Sequence, residues 1–159
     1  MKRCSGWYPI FLLELTDTNS PLLRLLSEKA PGTFQHSLAV ANIAEQAARE
    51  MAGNALLVRV GALYHDVGKL KNPGYFIENQ GAHYNPHDAL DPRESANIIR
   101  RHVSDGLELA RKYGLPSIVM KFIATHHGHS LVYYFWKKAV EMYGAENVSQ
   151  QDFRYTFGK

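Results

Sequence analysis

Apolar positions recur three and four residues apart through most of the chain and seldom alternate one by one, so the pattern predicts helices rather than strands. Ser20-Pro21 reads as an N-cap followed by a first-turn proline, opening a helix that Pro31-Gly32 closes. Thr33 is suited to cap a second helix running to about Met51, with Phe34, Leu38, Ala41, Ala44 and Ala48 on its apolar face. Gly53 ends it. Asn54 caps a third, in which Leu56, Leu57, Val60, Leu63 and Tyr64 recur at helical spacing before Gly68. Pro73 to Pro92 is rich in Gly, Asn, Pro and Asp and reads as a long loop, of the length usually reserved for function or disorder. Asp91-Pro92 opens a fourth helix through about Val103, and Asp105 starts another that Gly114 stops. Pro116 begins a sixth that runs into His126-His127-Gly128, and Ser130 caps a last one to about Tyr143. From Gly144 to Lys159 there is no periodicity. Nothing divides the chain, so the expectation is a single all-α domain over 1–159, its core at about 20–143 and a tail at 144–159.

Composition narrows the class. The 159 residues are 45% hydrophobic and 21% charged, too apolar for a disordered chain. Eighteen Lys and Arg against 15 Asp and Glu give +3, too small an excess to argue for a nucleic-acid polymer or a membrane surface. One cysteine, Cys4, makes no internal disulfide and so gives no sign of an oxidising compartment. Met1-Lys2-Arg3 before Trp7 to Leu13 faintly imitates a secretory signal, but Pro9 breaks the run and no small-residue cleavage site follows. No apolar stretch approaches the about 20 residues of a membrane span. The default compartment is the cytoplasm. Homo-oligomerisation is left open.

Eight histidines carry the chemistry. His36 falls in the first turn of the second predicted helix, His65-Asp66 at the end of the third, His102 at the end of the fourth and His126-His127 at the end of the sixth. Four helices thus deliver ligand-type residues near a terminus, which suits a polar centre where helix ends converge. Imidazole and carboxylate together suit Fe, Mn or Zn, whereas Mg²⁺ would ask for fewer histidines. Neighbours on a helix project about 100° apart, so an adjacent pair reaches two sides of one ion or two nearby ions. Asp66 is the residue able to bridge two metals, and paired metals roughly 3.5–4 Å apart clamp both oxygens of a phosphoester displacement. Singly, each element has an ordinary reading: a lone His-Asp pair is common, His83 and His87 in a polar loop read as solvated, and His129 as a helix-end residue satisfying carbonyls. The order H…HD…H…HH, with Lys69 three residues after Asp66, is far more specific than any member.

His36, His65-Asp66-Val67-Gly68-Lys69, His102 and His126-His127-Gly128 resemble the HD superfamily of metal-dependent phosphohydrolases. Four strings narrow the resemblance: Ala30-Pro31-Gly32-Thr33-Phe34-Gln35-His36-Ser37, Tyr75-Phe76-Ile77-Glu78-Asn79-Gln80, Asn85-Pro86-His87-Asp88 and Asp152-Phe153-Arg154-Tyr155 are similar to the cytoplasmic HD domain of bacterial seven-transmembrane HD proteins. That resemblance spans about Leu13 to Tyr155. It implies hydrolysis of cyclic di-AMP to pApA by water activated between two divalent ions, Fe or Mn, with Zn, Co or Ni as substitutes in a purified sample. It also implies that His36, His65 and Asp66 hold one ion, and that Asp66 bridges to a second held by His102, His126 and His127.

The same resemblance carries a departure. The family pattern continues into a further helix that supplies a last aspartate ligand, and the sequence stops at Lys159, so the ion on His36, His65 and Asp66 is expected to be one ligand short. Lys69, one turn from Asp66, is suited to meet a phosphate oxygen or steady the site, against the plainer role of a solvated helix-end cation. Asn79, Asn85, His87 and Asp88 are candidates to line a nucleotide pocket, against a purely structural loop. Arg100-Arg101 reads as an anion attractor or as exposed helix charge. Tyr133-Tyr134-Phe135-Trp136 reads as a base-stacking run or, at that spacing, more readily as core. Two competitors stand beside cyclic di-AMP hydrolysis: the same chemistry on cyclic di-GMP, a linear dinucleotide or a nucleoside phosphate, and an inactive metal- or nucleotide-binding HD module.

Overall fold

A computed structural model describes residues 8–81 and 84–156. Cys4, Trp7, His83 and the last residues of the tail lie outside it. Among the described residues seven helices follow in order: α1 Tyr8–Glu14, α2 Pro21–Lys29, α3 Pro31–Glu50, α4 Ala55–Tyr64, α5 Pro92–Lys112, α6 Ser117–Thr125 and α7 Tyr133–Tyr143. Short 3₁₀ turns fill the connections, and no strand is present among the described residues. The fold is all-α, as the periodicity predicts.

Two starts follow the capping chemistry. Asn54 accepts the Leu57 N–H at 3.0 Å to begin α4, and Asp91 accepts the Arg93 N–H at 2.7 Å to begin α5. Others depart from it or meet it only in part, at Ser20 and Thr33 because a long-range partner outbids a local one. Ser20 makes no cap; its hydroxyl pairs with the Tyr64 hydroxyl at 3.0 Å. α2 ends at Lys29, ahead of Pro31-Gly32 as expected, and Pro31 also sits in the first turn of α3, where its missing N–H costs nothing. Thr33 is therefore inside α3 rather than capping it, and its hydroxyl bonds the Glu78 carboxylate at 2.9 Å. The break expected between Val103 and Asp105 is absent. α5 runs through it because Gly106 packs against Gly68, where a Cβ on Gly106 would stand 3.3 Å from the Gly68 nitrogen. Val132, not Ser130, precedes α7.

The segment from Pro73 to Pro92 is not a featureless loop. It folds into 3₁₀ turns at Pro73–Tyr75, Ile77–Asn79 and Pro86–Ala89. The described part of the tail is also built in. Phe153 is fully buried, and Leu131 and Arg154 form an antiparallel bridge flanked by Val132 N–H to Phe153 O at 2.9 Å and Tyr155 N–H to Ser130 O at 3.0 Å.

Two apolar clusters hold these elements. The larger joins Leu12 of α1, Leu22, Leu23 and Leu26 of α2, Ala41 of α3, Val60 and Leu63 of α4, Ala110 of α5, and Val119 and Ile123 of α6. The amphipathic run that faintly imitated a signal thus contributes a core residue, Leu12. The smaller cluster joins Ala96 of α5, Phe135 and Ala139 of α7, and Val148 and Phe153 of the tail. α5 belongs to both, and the polar centre described next is anchored on it.

Candidate metal centre

Asp66 is 2% exposed, on the short link between the end of α4 and the 3₁₀ turn Val67–Lys71. That turn lies flat on α5 because Gly68 has no side chain: a Cβ there would meet the His102 carbonyl oxygen at 1.7 Å and the Gly106 nitrogen at 2.5 Å. The approach brings Asp66 beside His102. Oδ1 then lies 3.4 Å from His102 Nε2 and 3.4 Å from His126 Nε2, while Oδ2 lies 3.2 Å from His65 Nε2 and 3.9 Å from His36 Nε2. The two oxygens of one carboxylate therefore face two sets of imidazoles. Asp66, His102, His126 and His127 bring donor atoms within 4.8 Å of one another, and so do His36, His65 and Asp66.

Backbone carbonyls aim the rings. Nδ1 of His65 lies 2.6 Å from Ala62 O, Nδ1 of His102 2.5 Å from Ile99 O, and Nδ1 of His126 3.0 Å from Ile123 O. A carbonyl only accepts, so in each ring Nδ1 carries the proton and Nε2 turns its lone pair to the centre. All three bond back to the carbonyl three residues earlier, but only His65 and His126 follow the end of a helix; His102, expected at one, lies inside α5 because that helix runs on to Lys112. His127 is fixed instead by its neighbours, its ring 4.1 Å from that of His126 and stacked at 4.0 Å and 12° on Tyr155.

The electrostatics suit a cation. Burial holds His102 neutral, its pKa pushed down to about 4. Burial, with His126 and His102 nearby, pushes His127 down to about 3. Both are unprotonated at neutral pH, the form a metal ligand requires. Burial opposes ionisation of Asp66, yet the neighbouring His126 and His65 imidazoles and the Lys69 charge hold its carboxyl far below the usual range. Oδ1 of Asp66 is buried with no hydrogen-bond partner. His102 Nε2 and His126 Nε2 face each other at 3.2 Å, close enough to share one cation. Donor type, protonation and the orphaned oxygen all fit a divalent transition metal. The three-donor group is less prepared. Oδ2 already accepts the Lys69 ammonium at 2.9 Å, and the His36 side chain is 49% exposed.

Lys69 is not a solvated cation. Its side chain is 13% exposed, its ammonium sits 2.9 Å from Asp66 Oδ2 and 2.7 Å from Glu78 Oε1, and it lies 5.0 Å from the centre of the Phe76 ring. Burial works against its charge, but the two carboxylates outweigh burial and raise its pKa. Glu78 went unremarked in the sequence except as part of a string; its role depends on a lysine nine residues away across a turn.

The four loop candidates separate. Asn79 staples the loop to α3, accepting the Thr33 N–H at 3.1 Å and donating to the Thr33 hydroxyl at 2.8 Å. Asn85 accepts the His87 N–H at 3.1 Å. His87 is buried rather than solvated, its Nε2 2.9 Å from Tyr75 O. Asn85 and His87 border a cavity of about 440 Å³, and Asn79 and Asp88 do not. Asp88 is exposed. Arg100 donates to Arg154 O at 2.9 Å and so holds the tail, while Arg101 is exposed. In the aromatic run Phe135 is buried and Tyr133 and Tyr134 are 61% and 65% exposed, so only part of it is core.

A family model described as the HD domain matches residues 33–152. An uncharacterised protein, slr0104, of Synechocystis sp. is 51% identical over 152 residues, covering 93% of this chain and 19% of that protein. The cyclic-di-AMP phosphodiesterase PgpH of Bacillus subtilis is 46% identical over 144 residues, covering 91% of this chain and 20% of its own length. The chain thus spans about a fifth of these curated relatives. The crystal structure of the Listeria monocytogenes PgpH HD domain in complex with cyclic di-AMP superposes with a TM-score of 0.80 at 45% identity, covering 86% of this chain and 62% of that one. Among the described residues no helix is long and apolar enough to cross a membrane.

Proposed function

The chain belongs to the HD-domain family, and on that footing we propose that it is a metal-dependent phosphodiesterase that opens cyclic di-AMP to the linear dinucleotide pApA. The observation that carries the reading is the shared carboxylate: Asp66 turns Oδ1 to one group of imidazoles and Oδ2 to another. The PgpH relatives, one of them solved with cyclic di-AMP, support the choice of substrate. His36, His65 and Asp66 would hold one ion, and Asp66, His102, His126 and His127 the other. Fe or Mn is the proposed metal, since a set rich in imidazole with one carboxylate suits both.

Ions held by these residues would supply Lewis acidity toward water and the phosphoryl oxygens. The protein's part is position. Buried imidazoles with Nδ1 locked on carbonyls keep Nε2 aimed without reorganisation. Lys69 has three N–H donors and spends two on Asp66 and Glu78, leaving one for a non-bridging phosphate oxygen. Its charge then assists as negative charge builds at phosphorus.

The test is chromatographic. Protein reconstituted with Mn²⁺ or Fe²⁺ is incubated with cyclic di-AMP, cyclic di-GMP and pApA in separate reactions. Cyclic di-AMP should be consumed fastest and yield pApA. Faster loss of cyclic di-GMP or pApA would reassign the substrate, and no turnover of any of them by metal-loaded protein would favour a binding module.

A further inference from the structure

Resting on the reading of Asp66 as a shared carboxylate, we propose that Glu78 is a positioning residue: it draws the Lys69 ammonium off the Asp66 oxygen that a cation must take, and keeps it beside the centre. Asp66 Oδ2 has two claimants. It faces His65 Nε2 at 3.2 Å and His36 Nε2 at 3.9 Å, the side of the three-donor group, and it accepts the Lys69 ammonium at 2.9 Å. An ammonium and a divalent cation on one carboxylate oxygen repel each other. With Asp66 as its sole carboxylate, the ammonium would stay there. Glu78 supplies a second, its Oε1 2.7 Å from Lys69 Nζ and nearer than Asp66.

A freely rotating glutamate could not hold Lys69 against Asp66, and Glu78 is not free. Its Oε1 also accepts the Thr33 hydroxyl at 2.9 Å. The next residue, Asn79, clamps Thr33 in turn, accepting its N–H at 3.1 Å and donating to its hydroxyl at 2.8 Å. Gly32 lets the two segments meet, since a Cβ there would stand 1.8 Å from the Glu78 carbonyl oxygen. Burial opposes the charge on Glu78, yet Lys69 and Thr33 hold its carboxyl below the usual range. Gly32 and Thr33 lie in the first turn of α3, and His36 follows one turn later on the same helix. The helix that carries an imidazole to the three-donor group therefore also fixes the carboxylate that clears its oxygen. The sequence strings around Thr33 and Glu78 are two halves of one device.

The probe is Mn²⁺ alone, titrated calorimetrically into the metal-free full chain and its variants, with the three-donor group identified as the site that His36→Ala loses. Glu78→Gln keeps the shape and an acceptor for Thr33 but removes the charge. It should weaken Mn²⁺ at the three-donor group about tenfold, a small part of what unit charges a few ångströms apart exert near a protein surface, and spare the other group. Lys69→Met should strengthen binding at the three-donor group by a similar factor. In the Lys69→Met/Glu78→Gln double variant the Glu78 change should cost nothing, because there is no ammonium left to draw away. A glutamate acting only as nearby negative charge, or only through the fold, costs the same in both backgrounds, and that result would overturn the proposal. So would unchanged Mn²⁺ affinity in Glu78→Gln, or weaker binding in Lys69→Met, which decides the matter alone if Glu78→Gln does not fold. No Mn²⁺ bound by the unaltered protein would overturn it together with the metal centre. The proposal and the proposed activity fail separately. The expected coupling without cyclic di-AMP turnover keeps the role of Glu78 and removes the phosphodiesterase, and turnover without the coupling removes the role of Glu78 alone.

Discussion

Asp66→Ala should lose metal from both donor groups and with it phosphodiesterase activity by on the order of 10³-fold or more. One preorganised stabilising group is typically worth ~10²–10³ in kcat, and Asp66 is asked to serve two ions at once. The substitution removes the carboxylate whose oxygens stand 3.4 Å from His102 and His126 and 3.2 Å from His65. It also leaves the buried Lys69 ammonium with Glu78 as its remaining carboxylate, so positive charge rises where a cation should enter. His36→Ala is the informative contrast. His36 belongs only to the three-donor group, which also shares Oδ2 with Lys69. Its loss should empty that group and spare the ion on Asp66, His102, His126 and His127. Elemental analysis beside the cyclic di-AMP assay reads both variants. Full metal content in Asp66→Ala, or equal loss from both groups in His36→Ala, would contradict the assignment.

Gly68→Ala should destabilise the protein by about 4 kcal/mol or more, a value reached when backbone must move and not merely a rotamer. The added methyl would lie 1.7 Å from the His102 carbonyl oxygen, 2.7 Å from its carbon and 2.5 Å from the Gly106 nitrogen. All three are main-chain atoms of α5, so no side chain can swing aside. The 3₁₀ turn and α5 must separate, and Asp66 leaves His102. At roughly 2–4 °C per kcal/mol for a chain of this size, the melting temperature should fall by about 10 °C, with metal affinity falling too. Gly74→Ala is the control, because nothing lies within 4 Å of a Cβ there. Thermal unfolding followed by circular dichroism separates the two. A Gly68→Ala protein that melts with the parent would show that the close contact is not structural.

Gly68 also shows where sequence reading stops. As a residue after an apolar run it reads as helix punctuation, whereas its cause is a helix 34 to 38 positions further on. The elements most legible in the sequence were those whose ends are closed locally, by Asn54 or Asp91 accepting an N–H two or three residues ahead. Thr33 has the same chemistry but spends it on Glu78, 45 residues away, so its helix begins two residues before it. Asp105 and Gly106 look like a boundary and instead lie inside α5, because burial against Gly68 outweighs their poor helix propensity. His65, Asp66, His126 and His127 could be gathered because they follow helix ends, which can be placed from pattern, whereas His102 lies inside α5, where the pattern places an end that does not exist. Lys69 and Tyr155 could not be given their surroundings, since Glu78, Phe76 and the His127 stack exist only after the 3₁₀ turns and the tail fold back.

The Asp66 carboxylate should be shared by two ions. Anomalous diffraction from crystals grown with Mn²⁺ or Fe²⁺ and measured at that metal's absorption edge tests it most directly. Two peaks are expected roughly 3.5–4 Å apart, one against Asp66 Oδ2 with His36 and His65, the other against Oδ1 with His102, His126 and His127. A lone peak that Asp66 does not bridge, or peaks that leave Asp66 without contact, would contradict the account.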